Sequence, residues 1–205
     1  MGYRILTVGG SPRPDGFSAR MLRAFRAGLR EGGEAWTDVS FFHYDAYACG
    51  FAPCTDCRAC RRFEGCVQPD MDGFWRDFES CDGMVLASPV YHLSFPAPLK
   101  VVFDRMQRYY NARFYLGRRP PVAKYRPVVL LASAGSPDED GAVMRVQLER
   151  LFTVTHCRLV GMTVVSGTDA AGDAPALSAS QQAQLTECAA SFRDAVTSGT
   201  DWTGF

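Results

Sequence analysis

Four cysteines stand at a spacing that can do chemistry. Cys54-x2-Cys57-x2-Cys60-x5-Cys66 places four thiols within thirteen residues. A cubane 4Fe–4S cluster takes four thiolates converging on one compact body, and a close-wound loop can supply them. Runs of the form C-x2-C-x2-C ligate such clusters, although in two-cluster ferredoxins the last cysteine serves the second cluster. Here the fourth cysteine lies two residues farther on and precedes Val67 rather than a proline, so one loop could hold all four corners. Arg58, Arg61 and Arg62 surround the motif and would offset the negative charge of a thiolate-ligated cluster. Zinc is the competing metal, but structural zinc sites usually divide into two pairs a dozen or more residues apart. The remaining alternative is metal-free, with reduced thiols or an exchangeable disulfide. Cys49, five residues upstream, is read as a non-ligand, and Cys81, Cys157 and Cys188 as small packing residues.

A second chemical signal lies near the start. Gly9-Gly10-Ser11-Pro12-Arg13-Pro14-Asp15-Gly16-Phe17-Ser18-Ala19 joins an apolar strand-like run to a helical pattern. A helix start offers unpaired N–H groups and a partial positive charge, which suits a phosphate. Ser11 and Ser18 add hydroxyls, and Arg13 adds a cationic fork. The glycine spacing is wrong for a dinucleotide fingerprint, and the Gly-Lys-Ser/Thr of a Walker loop is missing. A terminal monophosphate held without metal fits better. The alternative is an ordinary connection capped by Ser18.

Ser88-Pro89-Val90-Tyr91-His92-Leu93-Ser94 is the third such segment. A flavin ring needs flat apolar contact on one face and backbone donors toward N1, the C2 carbonyl and N5, where fixed dipoles tune its potential. This loop can supply both, with Tyr91 or His92 along the ring edge or closing it from solvent. Hydride transfer to N5 needs no protein base, so His92 is read as a packing or hydrogen-bonding residue and no residue is assigned as catalytic.

The elements that must position these loops alternate. Tyr3–Val8, Val39–Tyr44, Gly83–Ala87, Pro127–Ala132 and Leu159–Val165 are expected strands. Apolar residues at helical spacing mark helices from Ala19 to Leu29, Phe74 to Cys81 (opened by Asp70 or Asp72), Leu99 to Met106, Val143 to Phe152, and Gln181 to Val196. Asp138, Glu139 and Asp140 are expected to cap the fourth helix rather than bind metal. Strand–helix alternation implies right-handed crossovers and a parallel sheet covered on both faces. The expectation is α/β: a flavodoxin-like doubly wound five-stranded parallel sheet in the order 2-1-3-4-5. It forms a single domain over 1–205 with a cysteine-rich insertion at about 47–68. In such sheets ligands bind beyond the carboxyl ends of the strands at the switch point, and the Gly/Ser/Pro-rich segments after strands one, three and four, the last being Ser133-Ala134-Gly135, sit there.

Taken in order, Gly-Ser-Pro-Arg, then Ser-Pro-Val-Tyr, Leu99-Lys100 and Phe103-Asp104-Arg105 resemble the NADPH-dependent FMN reductase and iron–sulfur flavoprotein families. The resemblance covers about residues 3–135, with Phe17 where asparagine is usual. It implies an FMN phosphate held by Ser11, Arg13, Ser18 and Ala19 in a loop that includes Gly16 and Phe17. It places the ring against Pro89, Val90, Tyr91, His92 and Leu93, with Ser133, Ala134 and Gly135 as the third wall. It implies that Lys100, Asp104 and Arg105 are ion-paired near a subunit interface, the alternative being an exposed helix face. The iron–sulfur members use the same cysteine spacing at the same place, which implies a 4Fe–4S cluster on Cys54, Cys57, Cys60 and Cys66, facing another subunit's flavin.

Basic and acidic residues balance at 22 each in 205 residues, so no net field favours nucleic acid or an anionic membrane. The arginines and aromatics of 107–120 are read as an interface or pocket rim rather than a base-stacking patch. No leader or membrane span is recognised, and a cytoplasmic homo-oligomer is expected. The residues from Ser198 onward are expected to be loose. Three functions follow. One is an iron–sulfur flavoprotein exchanging electrons with a redox partner protein. The second is a NAD(P)H-dependent FMN or quinone reductase without a cluster. The third is a non-redox phosphate binder with a structural zinc.

Overall fold

The computed structural model describes residues 2–172 and 176–199. Its five strands are β1 (Arg4–Gly9), β2 (Ser40–Asp45), β3 (Gly83–Pro89), β4 (Arg126–Ser133) and β5 (Cys157–Val165). They pair in parallel in the order β2-β1-β3-β4-β5, the flavodoxin-like order with its switch point between β1 and β3. Every residue of β3 and β4 is buried, as expected of central strands covered on both faces.

Successive side chains on a strand point to opposite faces, and the two cores separate accordingly. Ile5, Val85, Val129 and Leu131 pack with Met21, Phe25 and Leu29 of α1 (Phe17–Arg30) and Leu185 and Phe192 of α8 (Ala179–Ser198). Leu6, Leu86, Val128 and Leu130 face the other side, against α4 (Asp72–Ser80), α5 (Ala97–Arg105), α6 (Gln107–Phe114) and α7 (Ala142–Thr155). Two single-turn helices, α2 (Glu34–Thr37) and α3 (Ala46–Cys49), flank β2. Residues 50–71 run from α3 to α4 with only short 3-10 turns at Ala59–Arg61 and Pro69–Met71.

The strands and principal helices stand where the periodicity placed them, with ends shifted by at most three residues. Cys81 and Cys157 are buried, as packing residues should be, and burial pushes the Cys81 thiol up to about 12. Glu139 accepts from the Gly141 N–H at 2.7 Å and Asp140 from that of Ala142 at 2.9 Å, so two of the three acidic residues take up amides at the α7 start, although the N-cap position itself is Gly141. The α8 start is a capping box made by Ser178 and Gln181. One expectation is corrected and one element is added. The third helix ends at Arg105, close to the expected Met106, and a further helix not anticipated, α6, follows it. No side chain caps α4; Asp70 is drawn instead to Arg105, a stronger partner than a helix end. Most of the tail expected to be loose, residues 200–205, lies outside the described residues. No described helix is long and apolar enough to cross a membrane.

Candidate functional site

Three loops leave the carboxyl ends of β1, β3 and β4, strands adjacent in the sheet. In the first, the Gly10 amide donates to the Ala87 carbonyl at 2.7 Å, locking the exit of β1 against β3. A Cβ on Gly10 would stand 2.7 Å from Leu99 Cδ2 and 3.1 Å from Ser88 Oγ, so glycine is required by space. Gly10→Ala is therefore expected to destabilise by about 1–3 kcal/mol through overpacking; a thermal melt within a degree of wild type would refute it. Ser11 Oγ accepts from the Arg13 N–H at 3.2 Å, and the Gly16 N–H donates to the Arg13 carbonyl at 3.2 Å, so the loop folds on its own groups. This leaves the Arg13 side chain exposed. The α1 N-cap is Gly16, which has no side chain to offer the first turn.

That uncapped helix start beside Ser11 and Arg13 fits an FMN phosphate. Ser18 does not play the part that the alternative, an ordinary capped connection, gave it. It does not cap α1; it is buried and shares a 2.7 Å hydrogen bond with Ser133 Oγ, tying the first loop to the third. Ala19 lines a cavity of about 270 Å³ with Ser11, Arg13, Arg23, Arg26 and His43. Gly16 and Phe17 are half-buried and are not among its lining residues.

The second loop begins at Pro89, which is buried, and Val90, whose N–H donates to the Ser133 carbonyl at 2.8 Å. Tyr91 and Ser94 then exchange both backbone hydrogen bonds, 2.9 and 3.0 Å, around His92 and Leu93. Both central residues have positive φ, 50° and 66°. This is the two-residue turn that normally takes Asn-Gly, here built from two residues that pay backbone strain. Ser94 Oγ donates to Gln147 Oε1 of α7 at 3.1 Å, which anchors the turn. Tyr91, His92 and Leu93 are left exposed at the rim. Strain held in place beneath an exposed aromatic and an exposed aliphatic residue suits a loop that receives a flat ring.

In the third loop Ser133 and Ala134 are buried and Gly135 half-buried. The Ala134 carbonyl accepts from both the N–H and the hydroxyl of Thr168, each at 3.0 Å. A Cβ on Gly135 would collide with the Asp169 carboxylate. Thr168 and Asp169 thus belong to this wall, and nothing in their spacing signals it.

Away from these loops, all four cysteines of the motif line one small pocket together with Arg105, Arg108 and Asn111. Cys54 and Cys57 are exposed and Cys60 and Cys66 half-buried, all as free thiols. The loop reaches this shape through left-handed residues at Asp56 and Arg58. No three Cys, His, Asp or Glu side chains among the described residues are disposed to hold a metal ion. The chemistry of the lining nevertheless suits a cluster: four cysteines border one pocket, Asn111 Nδ2 donates to Cys60 Sγ at 3.0 Å, and Arg105 and Arg108 border it too.

Arg105 is ion-paired, as the resemblance implied, and its partner is Asp70 of the cysteine loop. It is buried, and it donates to the Ala52 and Gln68 carbonyls at 2.8 and 3.0 Å and to Asp70 at 3.0 and 3.2 Å. It therefore pins the two ends of the cysteine loop. Lys100 and Asp104 do pair, at 2.5 Å, on an exposed stretch of α5. They border an open groove of about 670 Å³ between α5–α6 and α7, so the 107–120 segment is a pocket rim through Tyr110, Arg113 and Phe114.

A doubly wound parallel sheet with three loops gathered at its switch point is a fold whose ligands bind at that crevice. The family model for NADPH-dependent FMN reductase matches residues 3–176. The chain belongs to that family, and it is a flavin-dependent oxidoreductase. It is 34% identical over 161 residues to an iron–sulfur flavoprotein of Archaeoglobus fulgidus, covering 77% of this chain and 68% of that one. It is 35% identical over 103 residues to an iron–sulfur flavoprotein of Methanosarcina thermophila, covering 50% and 51% of the two chains. Among solved structures, the NAD(P)H:quinone oxidoreductase of Methanothermobacter marburgensis superposes with a TM-score of 0.68 at 22% identity, over 95% of this chain and 96% of that one. That last likeness speaks to the fold.

Proposed function

We propose that this chain is an iron–sulfur flavoprotein: it binds FMN across the three loops, carries a 4Fe–4S cluster on Cys54, Cys57, Cys60 and Cys66, and exchanges electrons with NAD(P)H or a redox partner protein. The observation that carries the reading is the single pocket lined by all four thiols and backed by Asn111 and Arg105. The relatives named iron–sulfur flavoprotein support it.

Ser11, Arg13, Ser18 and Ala19, with the Gly16–Phe17 backbone, would hold the phosphate at the α1 start. Pro89, Val90, Tyr91, His92 and Leu93 would receive the ring, and Ser133, Ala134 and Gly135 would close the third side. When bound, FMN exchanges one or two electrons and a cluster exchanges one, so the pair can join single-electron and two-electron partners. The protein's share is to exclude water with Tyr91 and Leu93 and to aim backbone dipoles at the ring edge.

Anaerobic purification followed by iron, sulfide and flavin assay tests this. The expected yield is about four iron, about four sulfide and about one FMN per chain, the stoichiometry of a single cubane beside one flavin. A second reading is a NAD(P)H-dependent FMN or quinone reductase without a cluster, favoured by the fact that no three ligands close on one point among the described residues. It expects flavin bands alone, bleached by NADPH. A colourless protein carrying zinc would sink both.

A further inference from the structure

One polar side chain of α6 is buried against the cysteine pocket. Asn111 is 3% exposed. Its Nδ2 donates to Cys60 Sγ at 3.0 Å, while its Oδ1 is buried without a hydrogen-bond partner. An unpaired buried carbonyl oxygen costs free energy, and leucine, of similar size, would avoid that cost. Asparagine at this position therefore retains a liability that only its N–H group offsets. The direction of donation also follows from the chemistry: a thiolate sulfur accepts, so only the N–H end of the amide is attractive toward it.

The charged groups of the two helices at the pocket have further partners. Arg105 is held by Asp70 and by the loop carbonyls of Ala52 and Gln68, and it also faces the Cys66 sulfur. Arg108 pairs with Glu79 at 3.3 Å and lies over the Trp75 and Tyr109 rings. Asn111 is the neutral donor at this site, aimed at Cys60, whereas Arg105 is a cationic one beside Cys66.

We propose that Asn111 is a tuning residue of the iron–sulfur site: its N–H···S bond to Cys60 holds the reduction potential of a cluster ligated by that sulfur above the value it would otherwise have. The inference rests on the cluster reading of the cysteine loop. Reduction adds one electron and one negative charge, shared onto the ligand sulfurs, with no proton required. A fixed N–H dipole at a sulfur stabilises the more negative form and so favours reduction.

The test is a potentiometric titration with dithionite, which supplies the single electron, on full-length protein loaded with cluster anaerobically and assayed first for iron and sulfide. Asn111→Leu retains all four thiols and is expected to match wild-type iron and sulfide. At a fixed ambient potential its ratio of reduced to oxidised cluster should fall about tenfold, which is about 59 mV for a one-electron couple. Asn111→Gln, which keeps an amide donor, should recover part of the shift. Asn111→Asp, isosteric but with an acceptor in place of the donor, should move the potential further in the same direction, and it serves if the leucine variant does not fold. A loaded leucine or aspartate variant at the wild-type potential overturns the inference. So does a glutamine variant shifted as far as leucine, since packing rather than the N–H would then be the cause. Wild-type protein that takes up no iron and sulfide overturns the cluster reading and this inference with it, and the assay that precedes the titration separates that outcome from the others.

Discussion

Arg105→Leu is expected to lower the stability of the protein by about 3 kcal/mol or more and to loosen the cysteine loop. The guanidinium is buried and makes four hydrogen bonds, two to Asp70 and one each to the Ala52 and Gln68 carbonyls. Removing one partner of a buried ion pair costs about 3–5 kcal/mol, because it strands the other charge. Asp70 retains 31% side-chain exposure and can be rehydrated, which places the expectation at the lower end. Denaturant unfolding measures the loss, and the rate of thiol modification at Cys54 and Cys57 reports the loop. A variant within about 1 kcal/mol of wild type, the level at which exposed pairs contribute, would show that the pair is not structural.

The same pair makes an acid prediction. Burial pushes the Asp70 carboxyl up, but the Arg105 hydrogen bonds and the Ala52 N–H outweigh this and hold it below its ordinary value of 3.8. A depressed carboxylate contributes stability that is full above its unfolded value and is lost as pH falls through the folded one. Asp70→Asn should therefore flatten the loss of stability below about pH 4, and an unchanged acid limb would assign that limb to other groups.

Arg13→Ala should weaken FMN binding by about 10- to 100-fold, the range that follows from a charge-assisted hydrogen bond of about 1.5–3 kcal/mol. The Arg13 backbone is held by Ser11 Oγ whatever its side chain, so the loop should keep its shape. Riboflavin, which lacks the phosphate, provides the control: its affinity should be unchanged. Fluorescence titration of flavin-free protein with both ligands decides. Equal losses for the two, or none for FMN, would move the phosphate elsewhere.

The sheet was legible because β3 and β4 are unbroken apolar runs and because their following loops carry Gly, Ser and Pro where a ligand fold needs them. The three loops and the four cysteines were legible as chemistry for the same reason: their residue types are rare at such spacing. What escaped depended on contacts between distant segments. Asp70 reads as a helix cap until Arg105, 35 residues away, is seen to reach it. Asn111 sits among arginines and aromatics with no periodicity to single it out, and only the fold brings it to Cys60, 51 residues earlier. The break at Met106 carries no proline or glycine to announce it. His92-Leu93 conceals its tight turn because the usual Asn-Gly signature is missing; the anchoring by Ser94 and Gln147 supplies what local preference does not.

The helix α5 begins just after the strained turn and ends at the arginine that grips the cysteine loop. At 1.5 Å per residue its nine residues make a strut of roughly 12 Å from first to last Cα. The distance between the two ends is thus a matter of residue count, insensitive to which side chains α5 carries. Lengthening it by one residue would also swing Arg105 by roughly 100° around the axis, away from Asp70. Across divergent versions of this chain, α5 can accordingly vary in composition far more freely than in length.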